Sequence, residues 1–171
     1  MRALGVGNHV YVAVPVMALL AILQSSVLTR FPILGVVPQL LFLVALVWGI
    51  VRGIEEGIIW AFIAGLFVDL FSIAPLGVSS LAFMAGVGAP LLLQRVLPPR
   101  RLPVAMFMAA LGTFVYLTVY AVILQLLGFG ISLGGLTELL PLLVVHAILV
   151  LPIYLLMDSL LRTLRPRRVE F

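Results

Sequence analysis

The chain has 171 residues, of which 64% are hydrophobic and only 9% charged, with a formal net charge of +4. Soluble domains are about 45–50% apolar and about 25% charged, and a chain this short keeps too much surface to hide the excess. That excludes an ordinary water-soluble enzyme fold, and the absence of cysteine excludes disulfides and thiolate metal sites.

Six apolar runs succeed one another. The first, 10–29, contains Pro15 and ends in Gln24-Ser25-Ser26. It is too long for a signal-peptide core of about 7–15 residues, and no small-x-small site comes after it, so a retained helix is expected. Arg30-Phe31-Pro32 reads as an interface and turn. The second run, 36–51, stops at Arg52, and residues 52–56 form a tight hairpin. The third, 57–72, leads into a turn that Pro75 and Gly77 mark. The fourth, 78–96, closes at Pro98-Pro99-Arg100-Arg101. The fifth is 104–127, with a glycine-rich loop after it at Gly128, Gly130, Gly134 and Gly135. The sixth is 139–161, and a basic tail occupies 162–171.

Six spans of about 20 residues would use about 120 residues and leave no room for a soluble domain. The expectation is an all-α integral membrane protein, a single transmembrane domain over 1–171 with about six helices. Runs two and three are short for a span, which usually needs about 17–25 residues. A four-span arrangement with a re-entrant region is the alternative. With the N-terminus cytoplasmic, the inside segments hold nine arginines: Arg2, Arg52, Arg95, Arg100, Arg101, Arg162, Arg165, Arg167 and Arg168. The outside holds only Arg30. Positive residues stay inside in short loops, so both termini are expected in the cytoplasm. Their scatter over four segments argues against a nucleic-acid surface. The tail arginines suit anionic lipid of the bilayer, at roughly 1 kcal/mol each.

Ionisable groups inside a membrane are costly and default to functional candidates. Asp69 lies roughly 18 Å along the third helix from its cytoplasmic start. Gly57, Ala61, Gly65 and Asp69 recur every fourth residue and share one face, and small residues at that spacing let helices approach closely. Asp69 either binds something at the end of this seam or caps backbone amides of the 72–77 turn and the helix after it. Ser79, Ala82, Gly86 and Ala89 repeat the small-residue pattern on the fourth helix, and the two faces either pack together or hold a partner's helix. His146 is either a relay or a neutral hydrogen-bonding group between helices. Asp158 and Arg162 stand at i and i+4 in the order that favours an ion pair. Arg52, Glu55 and Glu56 form a similar cluster at the hairpin. Gln24, Ser25 and Ser26 suit interhelical hydrogen bonds or a ligand contact. No Walker loop, HExxH, Cys/His metal set or nucleophile elbow is present, so no catalytic residue, metal or cofactor is expected. His9 and His146 have no evident nucleophile beside them.

Three stretches, taken in order, resemble the rod shape-determining protein MreD family: Leu23-Gln24-Ser25-Ser26-Val27-Leu28, Gly35-Val36-Val37-Pro38-Gln39-Leu40, and Gly65-Leu66-Phe67-Val68-Asp69-Leu70-Phe71-Ser72-Ile73-Ala74-Pro75-Leu76-Gly77. The likeness covers about residues 20–90. The family often has an acid where this chain has Gln39. The resemblance implies a non-catalytic inner-membrane scaffold of the bacterial cell-elongation and peptidoglycan-synthesis machinery. It also implies a six-helix fold similar to the substrate-binding subunits of energy-coupling-factor transporters. The implied partner is MreC, a single-span protein with a large periplasmic part; other elongation-complex proteins or a second copy are further candidates for a small-residue face. Gln24, Pro38, Gly65, Asp69 and Gly77 match the family pattern, and with Gly86 they are expected to be structural or interface positions. The rival expectation is a substrate-binding subunit of a vitamin-type transporter, with polar groups from Gln24, Ser25, Asp69 and Glu138. Against it stand the glycine-rich, nearly uncharged loop after the fifth run and the scarcity of aromatic stacking surface there.

Overall fold

The computed structural model describes residues 6–94, 102–129 and 135–164. Over them lie six α-helices: α1 (Val6–Ser26), α2 (Leu40–Arg52), α3 (Ile54–Leu70), α4 (Val78–Leu93), α5 (Leu102–Leu126) and α6 (Gly135–Leu164), with a short 3₁₀ turn at Leu28–Arg30. In hydrocarbon a backbone must bond to itself, and a helix does so within one segment. The outward faces match that solvent. Leu19, Phe62, Phe107, Phe114, Ile148 and Leu156 are all exposed, a belt that water would not tolerate. This is an all-α membrane protein. Tyr11–Arg30, Leu102–Leu126 and Leu140–Leu161 have the length and hydropathy of spans, while α2 and α4 are shorter apolar helices.

α2 is the centre of the bundle. Every residue from Leu41 to Ile50 is buried, and the helix packs against α1, α3, α4, α5 and α6. Around it, α1 lies on α3, α3 on α4, α4 on α5, and α5 on α6. A helix buried on all sides needs no polar face, which explains why Leu40–Trp48 carries no hydrophilic residue.

α2 begins at Leu40, not at 36. Pro38 is the reason: the residue before a proline avoids the helical region, and proline itself has no N–H to give. The chain before it instead folds back on itself. Ile33 and Val36 exchange both backbone hydrogen bonds, at 2.9 and 3.1 Å. Leu34 and Gly35 turn between them with positive φ of 52° and 81°. Val36 is buried against Leu142 and Val145 of α6. The connection between α1 and α2 therefore plugs the bundle end.

The α2–α3 hairpin turns on one residue. Gly53 has φ 114°, a conformation in which an L side chain is strained. Its N–H donates to the Gly49 carbonyl at 2.8 Å, and its own carbonyl accepts from Gly57 at 3.0 Å. α3 thus starts at Ile54, three residues ahead of the run read from hydropathy. Gly49 and Gly57 face each other across the hairpin: a Cβ on Gly57 would lie 2.6 Å from the Gly49 Cα. Trp48 stacks on Trp60 at 4.1 Å. Its indole N–H donates to Glu56 at 3.0 Å, and Arg52 pairs with the same carboxylate at 3.3 Å. The Arg52 guanidinium also lies 5.8 Å from the Trp48 ring centre.

Candidate functional site

Two helices, α2 and α4, start at the same end of the bundle, and each start poses the same physical problem. The first amide N–H groups of a helix have no partner within it. Where such a start is buried, another protein group has to supply one. The usual remedy is a Ser, Thr, Asp or Asn at the N-cap. Here the N-cap residues are Gln39 and Gly77, and neither caps its own helix through its side chain. Both helices are capped from neighbouring helices instead.

At α4 the cap is Asp69, on the last turn of α3. Its Oδ2 accepts from the Gly77 N–H at 2.7 Å and its Oδ1 from the Ser79 N–H at 3.1 Å. The carboxylate is 2% exposed, and a negative charge at a helix N-terminus is favoured by the helix dipole. Gly77 has φ 97°, so it turns the chain into α4 at little steric cost. Gly65 makes the geometry possible one turn earlier. A Cβ there would overlap the backbone of Ser79 and Ser80. Without it, α4 comes close enough for its first amides to meet Asp69. Ser80 adds a bond from its hydroxyl to the Phe62 carbonyl at 3.3 Å.

At α2 the caps come from two sides. The Leu40 N–H donates to Gln24 Oε1 of α1 at 2.9 Å. That bond fixes the amide orientation, and Gln24 Nε2 then donates to Gln39 Oε1 at 2.6 Å. The Gln39 N–H donates to His146 Nε2 of α6 at 2.9 Å. A ring nitrogen that accepts carries no proton, so the imidazole proton of this arrangement sits on Nδ1. It meets Thr113 Oγ1 of α5 at 2.8 Å, and the threonine hydroxyl donates onward to the Ala109 carbonyl at 2.6 Å. One chain of bonds thus joins α1, α2, α6 and α5. The backbone amides, the imidazole N–H and the threonine hydroxyl in it all face acceptors, as a stabilising buried polar network requires, and the Gln39 side-chain N–H₂ is left over.

Gln24, Pro38, Gly65, Asp69 and Gly77, the positions expected to matter from the sequence, all meet at this end. Gly86 lies deeper, where a Cβ would be 2.6 Å from the Tyr116 Cβ and 2.7 Å from the Gly112 carbonyl. It packs α4 on α5, not on α3, so the small-residue face of α4 serves two neighbours. Ser79, Ala82 and Gly86 are buried, while Ala89 is half-buried. The expected Asp158–Arg162 pair falls outside the described residues, because the Arg162 side chain does; so do the side chains of Glu138 and His9, the tail 165–171 and the arginines at 95, 100 and 101. Among the described residues, no group of three or more His, Cys, Asp or Glu could hold a metal ion. The structure adds Thr113, Tyr116 and Tyr120, which belong to no motif. The available signal is their spacing, since Gly112, Thr113, Tyr116 and Tyr120 share one face of α5.

Beside the network lies a cleft of about 410 Å³, walled by the 35–39 segment, α3, α4, α5 and α6. Phe42, Phe83 and Tyr116 pack together at its side, with ring centres 4.8 to 5.3 Å apart. These rings come from the interior of α2, α4 and α5; residues 130–134 of the loop after α5, where aromatic surface is expected to be scarce, lie outside the described residues.

The network makes a quantitative expectation. Thr113→Val removes one hydroxyl at constant shape and should cost about 1 kcal/mol, or somewhat less inside a membrane. In a His146→Phe background the same change should cost distinctly less, because its partner is already gone. Denaturant unfolding of the purified single and double variants in detergent measures this; full additivity would mean that the contact is not a bond.

A family model described as rod shape-determining protein MreD matches residues 8–164 of the chain. No curated protein and no solved structure gives a significant match.

Proposed function

The chain belongs to the rod shape-determining protein MreD family, and on that premise we propose that it is a non-catalytic scaffold of the cell-elongation machinery in the bacterial inner membrane, with MreC as its membrane partner. In this reading all six helices cross the bilayer, the short ones helped by the folded connections at their ends. Both termini are cytoplasmic, as the arginine bias favours. The capped end of the bundle then faces the periplasm.

The observation that carries the reading is what the polar residues do. Gln24, Asp69, Thr113 and His146 are engaged in holding helices to one another. Beside the exposed Thr29, Arg30 and Ser72, much of the surface left over is apolar, even at the tips. Phe31, Leu34, Phe71, Ile73 and Leu76 are all exposed at the capped end. Loop tips at a membrane boundary are ordinarily polar, and an exposed apolar set marks a contact surface. A single-span partner that leaves the bilayer there would cover it. The small-residue face of α3 is occupied inside the molecule, so the partner contact is assigned to these tips and to the lipid-facing helices.

The test is detergent co-purification of the tagged protein from its own membranes, with the co-eluting proteins identified by mass spectrometry. Recovery of MreC with elongation synthases is the expected result. Ile73→Asp, which touches no core residue, should lower that recovery several-fold without changing the amount of protein in the membrane. A transporter subunit is the second reading, favoured by the aromatic-walled cleft. Recovery of an ATP-binding-cassette module in place of MreC would establish it and overturn the scaffold.

A further inference from the structure

The cleft beside the network has a chemistry of its own. Ser79 and Tyr116, only 4% and 5% exposed, both line it. Neither side-chain hydroxyl has a hydrogen-bond partner among the described residues, although Asp69 holds the Ser79 backbone. Tyr120, half-buried one turn along α5, lines the same space, and its hydroxyl likewise has no partner among the described residues. Gln39 adds a fourth group. Its Oε1 is occupied by Gln24, which leaves its amide N–H₂ to donate. These three hydroxyls, two on buried residues and one on a half-buried residue, line one open space with no bond to a described protein group.

Two features narrow the choice of occupant. None of the described lining residues is charged. A phosphate or carboxylate would leave water with nothing to neutralise it, which is strongly unfavourable. Aromatic rings also border it: Tyr120 is half-buried, beside the nearly covered Phe83 and Tyr116. The occupant therefore needs hydroxyls that both donate and accept, no charge, and an apolar face to lay on a ring. A sugar ring has all three, because its C–H bonds and hydroxyls point to different sides. The volume is in the range of small-molecule sites, about 300–1,000 Å³, and far exceeds the about 30 Å³ that one water needs.

We propose that this cleft binds an uncharged sugar, either free or as the headgroup of a neutral glycolipid. The site stands on its own lining and does not depend on the scaffold reading. Its test uses the full chain reconstituted in phosphatidylcholine nanodiscs, with thermal unfolding monitored by tryptophan fluorescence. Methyl β-D-glucoside in solution is the free source. Monoglucosyl diacylglycerol in the disc is the lipid source. Phosphatidylglycerol is the charged, hydroxyl-bearing control. The expected result is a saturable rise of several degrees in the unfolding midpoint with glucoside, glucolipid or both. A rise with the lipid alone assigns the site to a bilayer headgroup, and a rise with the free sugar assigns it to the sugar itself. Tyr116→Phe keeps the ring and removes one hydroxyl; Ser79→Ala removes the other from a different helix. Each should reduce the apparent affinity about tenfold. The proposal is overturned if neither sugar source shifts the midpoint. An equal shift with phosphatidylglycerol, or a shift unchanged in both variants, overturns it as well.

Discussion

Gly65→Leu should yield little or no folded protein in detergent, the largest effect expected of any single substitution here. The nearest atoms to a Cβ at this position are the Cα and N of Ser80 and the carbonyl carbon of Ser79, all backbone. A flexible side chain can move aside, but a helix backbone cannot without the helix moving. Overpacking ordinarily costs about 1–3 kcal/mol when neighbours can adjust, and the cost here exceeds that range. Pushing α4 away from α3 also carries the Ser79 amide away from Asp69, so the steric penalty and the loss of the cap arrive together. Total stabilities are about 5–15 kcal/mol, and the sum is a large share of that. Gly65→Ala should already lower the unfolding midpoint. Gly88→Ala is the control, since its Cβ would meet only an Ile58 side-chain carbon at an ordinary 3.8 Å. Size-exclusion chromatography with a fluorescent fusion reads the outcome. A monodisperse Leu variant with the stability of the parent would show that the α3–α4 contact is looser than described.

How much of this is legible in the sequence depends on how local each cause is. The membrane class comes from composition alone, because it is a property of the whole chain. The helix-ending residues are legible too: Gly53, Pro75 and Gly77 act on their own backbone. The seam Gly57–Ala61–Gly65–Asp69 is visible as a four-residue period, but not what it meets. Gly57 meets Gly49 of α2, and Gly65 meets Ser79 and Ser80 of α4. Those contacts depend on tertiary placement, which periodicity does not encode. The capping of α2 is illegible for the same reason. Gln24 and His146 stand 16 and 107 residues away from the amides they accept from. Pro38 stands out in the sequence by its match to a family pattern. Its physical effect is to open the start of α2, which creates the demand that those two side chains meet. Thr113 and Tyr116 stay hidden because a hydroxyl does little to a hydropathy window.

Asp69→Ala should destabilise the protein by about 3 kcal/mol, taking two hydrogen bonds to a charged acceptor at about 1.5–3 kcal/mol each, with partial relaxation. Hydrogen bonds between membrane helices average only about 0.6 kcal/mol, because the separated helices find other partners. The larger figure applies here for a specific reason. The Gly77 and Ser79 amides are the start of a helix, and the residue at its N-cap is a glycine with no oxygen to offer in place of Asp69. Asp69→Asn separates the possibilities. Its one remaining oxygen can hold one amide, while its N–H₂ points a donor at the other, so it should recover at most about half of the loss. If the carboxylate acted only through its charge on a partner, both variants would unfold like the parent and lose the partner equally. A graded series of parent, Asn and Ala in unfolding midpoint, with protease sensitivity rising at the 71–77 turn in the same order, would identify the cap as its role. Co-purification measured on the Asn variant, under conditions where it stays folded, then tells whether the turn that Asp69 shapes is also the surface a partner reads.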